Sequence, residues 1–177
     1  MNNKIKELEN NNVQKVVLPS NIETSIPDLH FAEWLISSSQ GLSTSGGNVN
    51  PSNSAPHNVL NEPDSYNYKK HFFSLGHKGN VVVKFSQPVN GELTVYEATG
   101  GDVTTETALV EVSSDGKNWY SLPSIKYAHN IFYNHEFTYS LSDIGCIEYV
   151  RITDTSVVPG DGFDVDAIGA TQLCSIS

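Results

Sequence analysis

Basic residues are scarce in this chain: ten lysines and arginines stand against twenty aspartates and glutamates, a formal net charge of −10 over 177 residues. That imbalance repels phosphate backbones and excludes nucleic acid as a natural partner. Charge of either sign is thin, at 17% of residues, and Ser, Thr, Asn and Gly fill the polar positions. Strand-rich extracellular proteins often have such a surface, and divalent cations or neutral ligands such as sugars suit it. Long apolar runs are also missing, since no stretch nears the ~20 residues that span a bilayer. The opening residues, Met1-Asn2-Asn3-Lys4-Ile5-Lys6-Glu7, lack the apolar centre of a secretion leader. A cytoplasmic chain, another export route and a removed leader all remain open.

Missing motifs narrow the chemistry further. The two cysteines, Cys146 and Cys174, have no metal-site spacing. They are either two buried thiols or a disulfide, whose loop of about 28 residues would restrain the unfolded chain by roughly 3–4 kcal/mol. None of His30, His57, His71, His77, His129 and His135 forms an HxH or HxxxH pair, and no serine sits in a GxSxG setting. Paired carboxylates exist, but they crowd one short loop, which suits a cation better than the two flanks of a sugar ring. Catalysis is not expected.

What is present reads as strands. Residues 1–25, with Asn10-Asn11-Asn12 and few large apolar side chains, are predicted to be a flexible polar tail. Residues 26–177 are predicted to form one domain, long enough to bury a core. His30–Ile36 is ambiguous, because Phe31, Trp34 and Leu35 have helical spacing in a segment too short to separate the periods. The Ser/Gly/Asn/Pro-rich stretch 37–54 is long for a connection inside a domain, and therefore functional or mobile. Val81–Phe85 is β-branched, and Glu92–Glu97 alternates Leu93 and Val95 against Thr94 and Tyr96. Ala108–Ser113 runs into a turn, Ser114-Asp115-Gly116-Lys117-Asn118, with glycine where positive φ is needed. Trp119-Tyr120 opens the return strand, with Trp119 expected as a core anchor. Further strands are expected at 131–133, 137–141, 147–153 and 165–170. Short antiparallel strands at this spacing predict an all-β sandwich or jelly roll.

The candidate site lies near the C-terminus, where Asp161, Asp164 and Asp166 fall within six residues. Carboxylates this close repel unless a cation, a cationic side chain or water separates them. On a strand, Asp164 and Asp166 share a face. Calcium takes six to eight oxygens, and Asp64 and Glu97 would complete the candidate shell; the alternative is that these carboxylates are solvated or cap turns. Arg151, in mid-strand, is a candidate ligand-binding residue or the partner of Asp154, Asp164 or Glu148. Tyr66, Tyr68, Tyr127 and Tyr133 lie in loop-like, Asn-rich context and are the candidates for stacking on a sugar.

Eight segments in order resemble a β-sandwich domain of bacterial surface and secreted proteins, related in architecture to galactose-binding, discoidin-like jelly rolls. They are Phe31-Ala32-Glu33, Asn58–Asp64, Phe73–Gly79, Glu92–Glu97, Glu111–Trp119, Phe137–Gly145, Glu148–Asp154 and Asp161–Ile168. The chain departs from the family pattern at Asn61, where glycine is usual, at Thr138, where aspartate often stands, and at Glu92, also in place of aspartate. The resemblance implies a galactose-binding-like fold, a calcium site in the acidic loop and an extracellular or cell-surface location. The function expected is a non-catalytic, calcium-stabilised binding module for carbohydrate or a cell-surface partner. The alternative is a structural protein that self-associates in a surface layer, appendage or secreted particle.

Overall fold

A computed structural model describes residues 28–60, 62–63, 71–98, 106–125, 135–157 and 160–175. The predicted tail, residues 1–25, lies outside them, as does the expected strand at 131–133. Among the described residues nine strands follow in order: β1 (His30–Phe31), β2 (Trp34–Ser39), β3 (Phe73–Ser74), β4 (Asn80–Glu97), β5 (Ala108–Ser113), β6 (Tyr120–Ser121), β7 (His135–Ser140), β8 (Ile147–Asp154) and β9 (Asp164–Leu173). Two short 3-10 turns, Pro51–Asn53 and Pro56–Val59, are the only helical elements among the described residues. None of these is long and apolar enough to cross a membrane.

The eighteen residues of β4 organise the rest. Its first part, Asn80–Lys84, pairs with β2 on one side and β8 on the other, and β8 pairs on to β5 and β6. Its last part, Glu92–Glu97, pairs with β7 and β9, and β9 carries both β1 and β3. Every pairing is antiparallel. β4 therefore leaves one sheet around Ser86–Gly91 and enters the other, the way corners form in strand sandwiches. A β-sandwich results.

Strand alternation explains the core. Val81, Val83 and Phe85 point inward from one sheet together with Val110, Val112, Val150 and Ile152; Leu93, Val95, Val165, Ile168 and Ala170 meet them from the other. Each such Val, Leu, Ile or Phe side chain, removed from water, contributes about 1.5–3 kcal/mol. The predicted hairpin turn is present, with Gly116 at φ 70°. Asp115 Oδ1 accepts the backbone N–H groups of Asn118 and Lys117, both at 2.8 Å, which holds its carboxyl well below the usual range.

His30–Ile36 resolves as two strands rather than a helix. The Ala32 N–H donates to Ile168 of β9, and the next N–H, of Glu33, donates to Lys84 of β4. The chain thus crosses between sheets in two residues, and the helical spacing of Phe31, Trp34 and Leu35 is coincidental. At the end where β4 turns, Cys146 and Cys174 form a disulfide (Cα–Cα 6.2 Å, separation 28), and the Cys174 N–H donates to Pro88.

Candidate functional site

The opposite end of the sandwich is built by three connections: the chain after β2, the β3–β4 turn and the β8–β9 loop. Backbone hydrogen bonds stitch them together, from Gly41 to Leu75, His77 to Leu42, Thr44 to Gly160 and Gly76 to Asp161. Glycine makes this approach feasible. A Cβ on Gly162 (φ +82°) would stand 2.8 Å from the Gly76 backbone, and one on Gly76 (φ +68°) 2.3 Å from the Gly41 carbonyl oxygen.

Asp154, at the end of β8, locks two of these loops. Its Oδ1 accepts Ser156 Oγ at 2.6 Å and the Phe163 N–H at 3.0 Å; its Oδ2 accepts the Lys78 N–H at 3.1 Å. The carboxylate is buried and fully employed.

Asp164, ten residues on, is buried too, but its Oδ1 has no hydrogen-bond partner. Burial pushes its carboxyl well above the usual range, and the charges of Glu106, Asp161 and Glu97 push it further, against a hydrogen bond from Ser74. Ser74, its register partner on β3, has a single hydroxyl proton, which it shares between Asp164 and Asp161 Oδ2, the latter at 3.0 Å. Glu97, at the end of β4, and Glu106, just before β5, are both buried, and a Cβ on Gly160 would meet Glu106 Oε1 at 3.2 Å. Asp166 is the extra residue of a bulge in β9, because Val165 faces Glu97 while Ala167 faces Tyr96. It is buried as well.

The fold therefore brings Asp161, Asp164 and Glu97 into one electrostatic neighbourhood and adds Glu106, which sequence reasoning missed. Nothing in Thr105-Glu106-Thr107 marks it; only the β5–β8 pairing carries it there. Hard carboxylate oxygens, one of them buried without a partner, are donors of the kind calcium takes. Among the described residues no group of three or more His, Cys, Asp or Glu side chains is placed so that it could hold a metal ion. A full shell would take further oxygens. Asp64, Tyr66, Tyr68, Tyr127 and Tyr133 lie outside the described residues.

Arg151 stands apart from this end-on cluster. Its Nε bonds Glu111 Oε2 at 2.6 Å, and its guanidinium lies 4.3 Å from the centroid of the Trp119 ring. Glu111, its cross-strand neighbour, is none of the three partners expected from sequence. Trp119 is a correction: it is half-buried and outside the core cluster, because the turn delivers it onto the outer face of the sheet, over Arg151.

With this geometry in view, known structures identify the architecture. The C-terminal domain of a chitobiase from Bacteroides fragilis superposes with a TM-score of 0.54 at 12% identity, covering 80% of this chain and 95% of that one. The CBM32 domain of AlyQ, in complex with 4,5-unsaturated mannuronic acid, gives a TM-score of 0.51 at 13% identity, covering 80% and 98%. The fold is that of the CBM32 modules. A truncated AlyQ containing CBM32 and alginate lyase domains matches at a TM-score of 0.50 and 10% identity, covering 84% of this chain and 34% of that one. No protein-family model and no curated protein matches the chain.

Proposed function

We propose that this chain is a non-catalytic carbohydrate-binding module whose loop end is braced by calcium. One observation carries the calcium reading: a buried carboxylate, Asp164, with an orphan oxygen among Asp161, Glu97 and Glu106. Water could satisfy one oxygen, but it would not offset the mutual repulsion of the carboxylates; a divalent cation does both. Asp164 would be the ligand among these, with further oxygens drawn from outside the group, and the ion would supply charge compensation beside Asp161, Glu97 and Glu106. The carbohydrate reading is supported by the shared fold, since the AlyQ domain of that fold was crystallised with a sugar acid. The disulfide suits an oxidising compartment and favours the cell exterior.

The test is a thermal melt in excess calcium against excess chelator, followed by a glycan array under both conditions. A ligand bound only by the folded state adds about 2.7 kcal/mol at a hundredfold excess over Kd. For a domain of this size that is a rise of roughly 5–11 °C. Coincident melts would remove calcium from the reading, and a blank array would remove the sugar.

A further inference from the structure

The outer face of the sheet formed by β2, β4, β8 and β5 has no role in the loop-end site, and its side chains are arranged in rows. Trp34 of β2 pairs with Lys84 of β4, which pairs with Tyr149 of β8. The next row sets Val82, Arg151 and Glu111 side by side on β4, β8 and β5. Register partners share a face. Their neighbours Leu35, Val83, Val150 and Val112 pack into the core, so these rows face outward. Trp34 is 59% exposed and Ile36, two residues on, 50%. From Trp34 to Tyr149 is two strand spacings, about 10 Å.

Charge on this strip is cancelled locally. Lys84 Nζ meets Glu148 Oε2 at 3.1 Å and lies 5.2 Å from the Tyr149 ring centroid. Arg151 is held by Glu111 and stacked on Trp119. Two cations and two anions leave a neutral strip on a chain whose net charge is −10. A charged polymer of either sign gains nothing there. An apolar protein face laid over the strip would strip water from both ion pairs without replacing it. A sugar chain resolves the conflict: its C–H faces lie on the exposed Trp34 ring, and its hydroxyls replace the lost water. They donate to Glu111 and Glu148 and accept from Lys84 and from the guanidinium, whose fork carries five N–H donors.

We infer that this face is a second glycan-binding platform, taking a neutral polysaccharide across the strands, with Trp34 as the stacking residue and the Arg151–Glu111 and Lys84–Glu148 pairs as hydroxyl partners. The inference takes its ligand class from the carbohydrate-binding reading, but neither its site nor its dependence on metal. Trp34 is exposed on a strand paired only with β4 among the described residues, so its replacement leaves the core intact, which a melt verifies.

The experiment measures retention of the parent, Trp34→Ala and Trp34→Phe on cellulose, chitin, starch and galactomannan, with alginate as the acidic comparison, in calcium and in chelator. At least one neutral polysaccharide should retain the parent. Trp34→Ala should weaken that binding about tenfold or more, Trp34→Phe should restore most of it, and chelator should not change it. Neutral binding untouched by Trp34→Ala but lost in chelator overturns the platform and leaves the loop-end site standing. Retention on alginate alone, or on nothing, overturns it as well, and the calcium melt then judges the loop end separately. If Trp34→Ala instead dissociates an oligomer and glycan binding is unchanged, the face serves self-association and the proposal falls.

Discussion

Asp154 offers the sharpest test of how the loop end is built. Asp154→Ala removes the acceptor of three hydrogen bonds at 2.6, 3.0 and 3.1 Å. Ser156 Oγ has a second acceptor in the Thr107 carbonyl at 3.3 Å and can turn to it. The N–H groups of Phe163 and Lys78 have no such recourse. Two stranded backbone donors at about 1–3 kcal/mol each give a loss near 4 kcal/mol. At about 2–4 °C per kcal/mol for a domain of this size, Tm should drop by about 8–16 °C. Asp154→Asn is the control: its amide oxygen can keep Ser156 and Phe163, but its NH2 then faces the Lys78 N–H, so the cost should be about 1–3 kcal/mol. Thermal denaturation followed by circular dichroism reads both, and amide exchange at Phe163 and Lys78 should quicken selectively in the alanine variant. A drop under about 2 °C for Asp154→Ala would refute the claim that this carboxylate locks the two loops. An asparagine variant as damaged as alanine would show that charge, and not geometry, carries the effect.

Two further outcomes are expected. Replacing Cys146 and Cys174 together by serine releases a closed loop of 28 residues and should cost about 3.5 kcal/mol, read as a lower Tm than the oxidised parent; equal melting temperatures would contradict it. In chelator, Asp164→Asn should be more stable than the parent at neutral pH. Burial raises the folded-state pKa of Asp164, so the folded chain binds more protons than the unfolded one above the ordinary carboxylate range. The stability tied to that proton is complete at acid pH and lost as pH rises through the raised value. The two melting curves should converge toward acid pH, and parallel pH profiles would remove Asp164 from the account. In calcium the order should reverse.

Much of the sandwich was legible because its strands obey a local rule. Leu93 and Val95 alternate with Thr94 and Tyr96, and the structure puts the first pair in the core. Gly116 sits where a turn needs positive φ, and it has it. The failures share one cause, dependence on pairing between distant segments. Arg151 finds Glu111 forty residues away through β5–β8 register, and no spacing rule reports register. Trp119 follows the hairpin turn in the manner of a core anchor, yet it lands over Arg151. The 37–54 stretch looked too long for a connection; its first residues belong to β2, and Gly41, Leu42 and Thr44 are sewn into the loop end. Of the candidate site, Asp161, Asp164 and Glu97 were visible as carboxylates, whereas Glu106 needed the fold.

The contrast between Asp154 and Asp164 is what makes the loop end more than a cluster of acids. Both are buried carboxylates at strand ends in the same part of the molecule. Asp154 is surrounded by donors, and each of its oxygens has a defined task in joining loops. Asp164 has a hydroxyl beside it and three other carboxylates around it, and one of its oxygens accepts nothing. A group serving only the fold would be arranged like Asp154, because an unsatisfied buried acceptor costs about 1–3 kcal/mol and more when charged. A proton, a water or a cation would each reduce that cost. A proton neutralises one carboxylate; a calcium ion neutralises two and accepts oxygens from several segments at once. The proposed calcium site is the second case, and the melt in calcium against chelator decides between them.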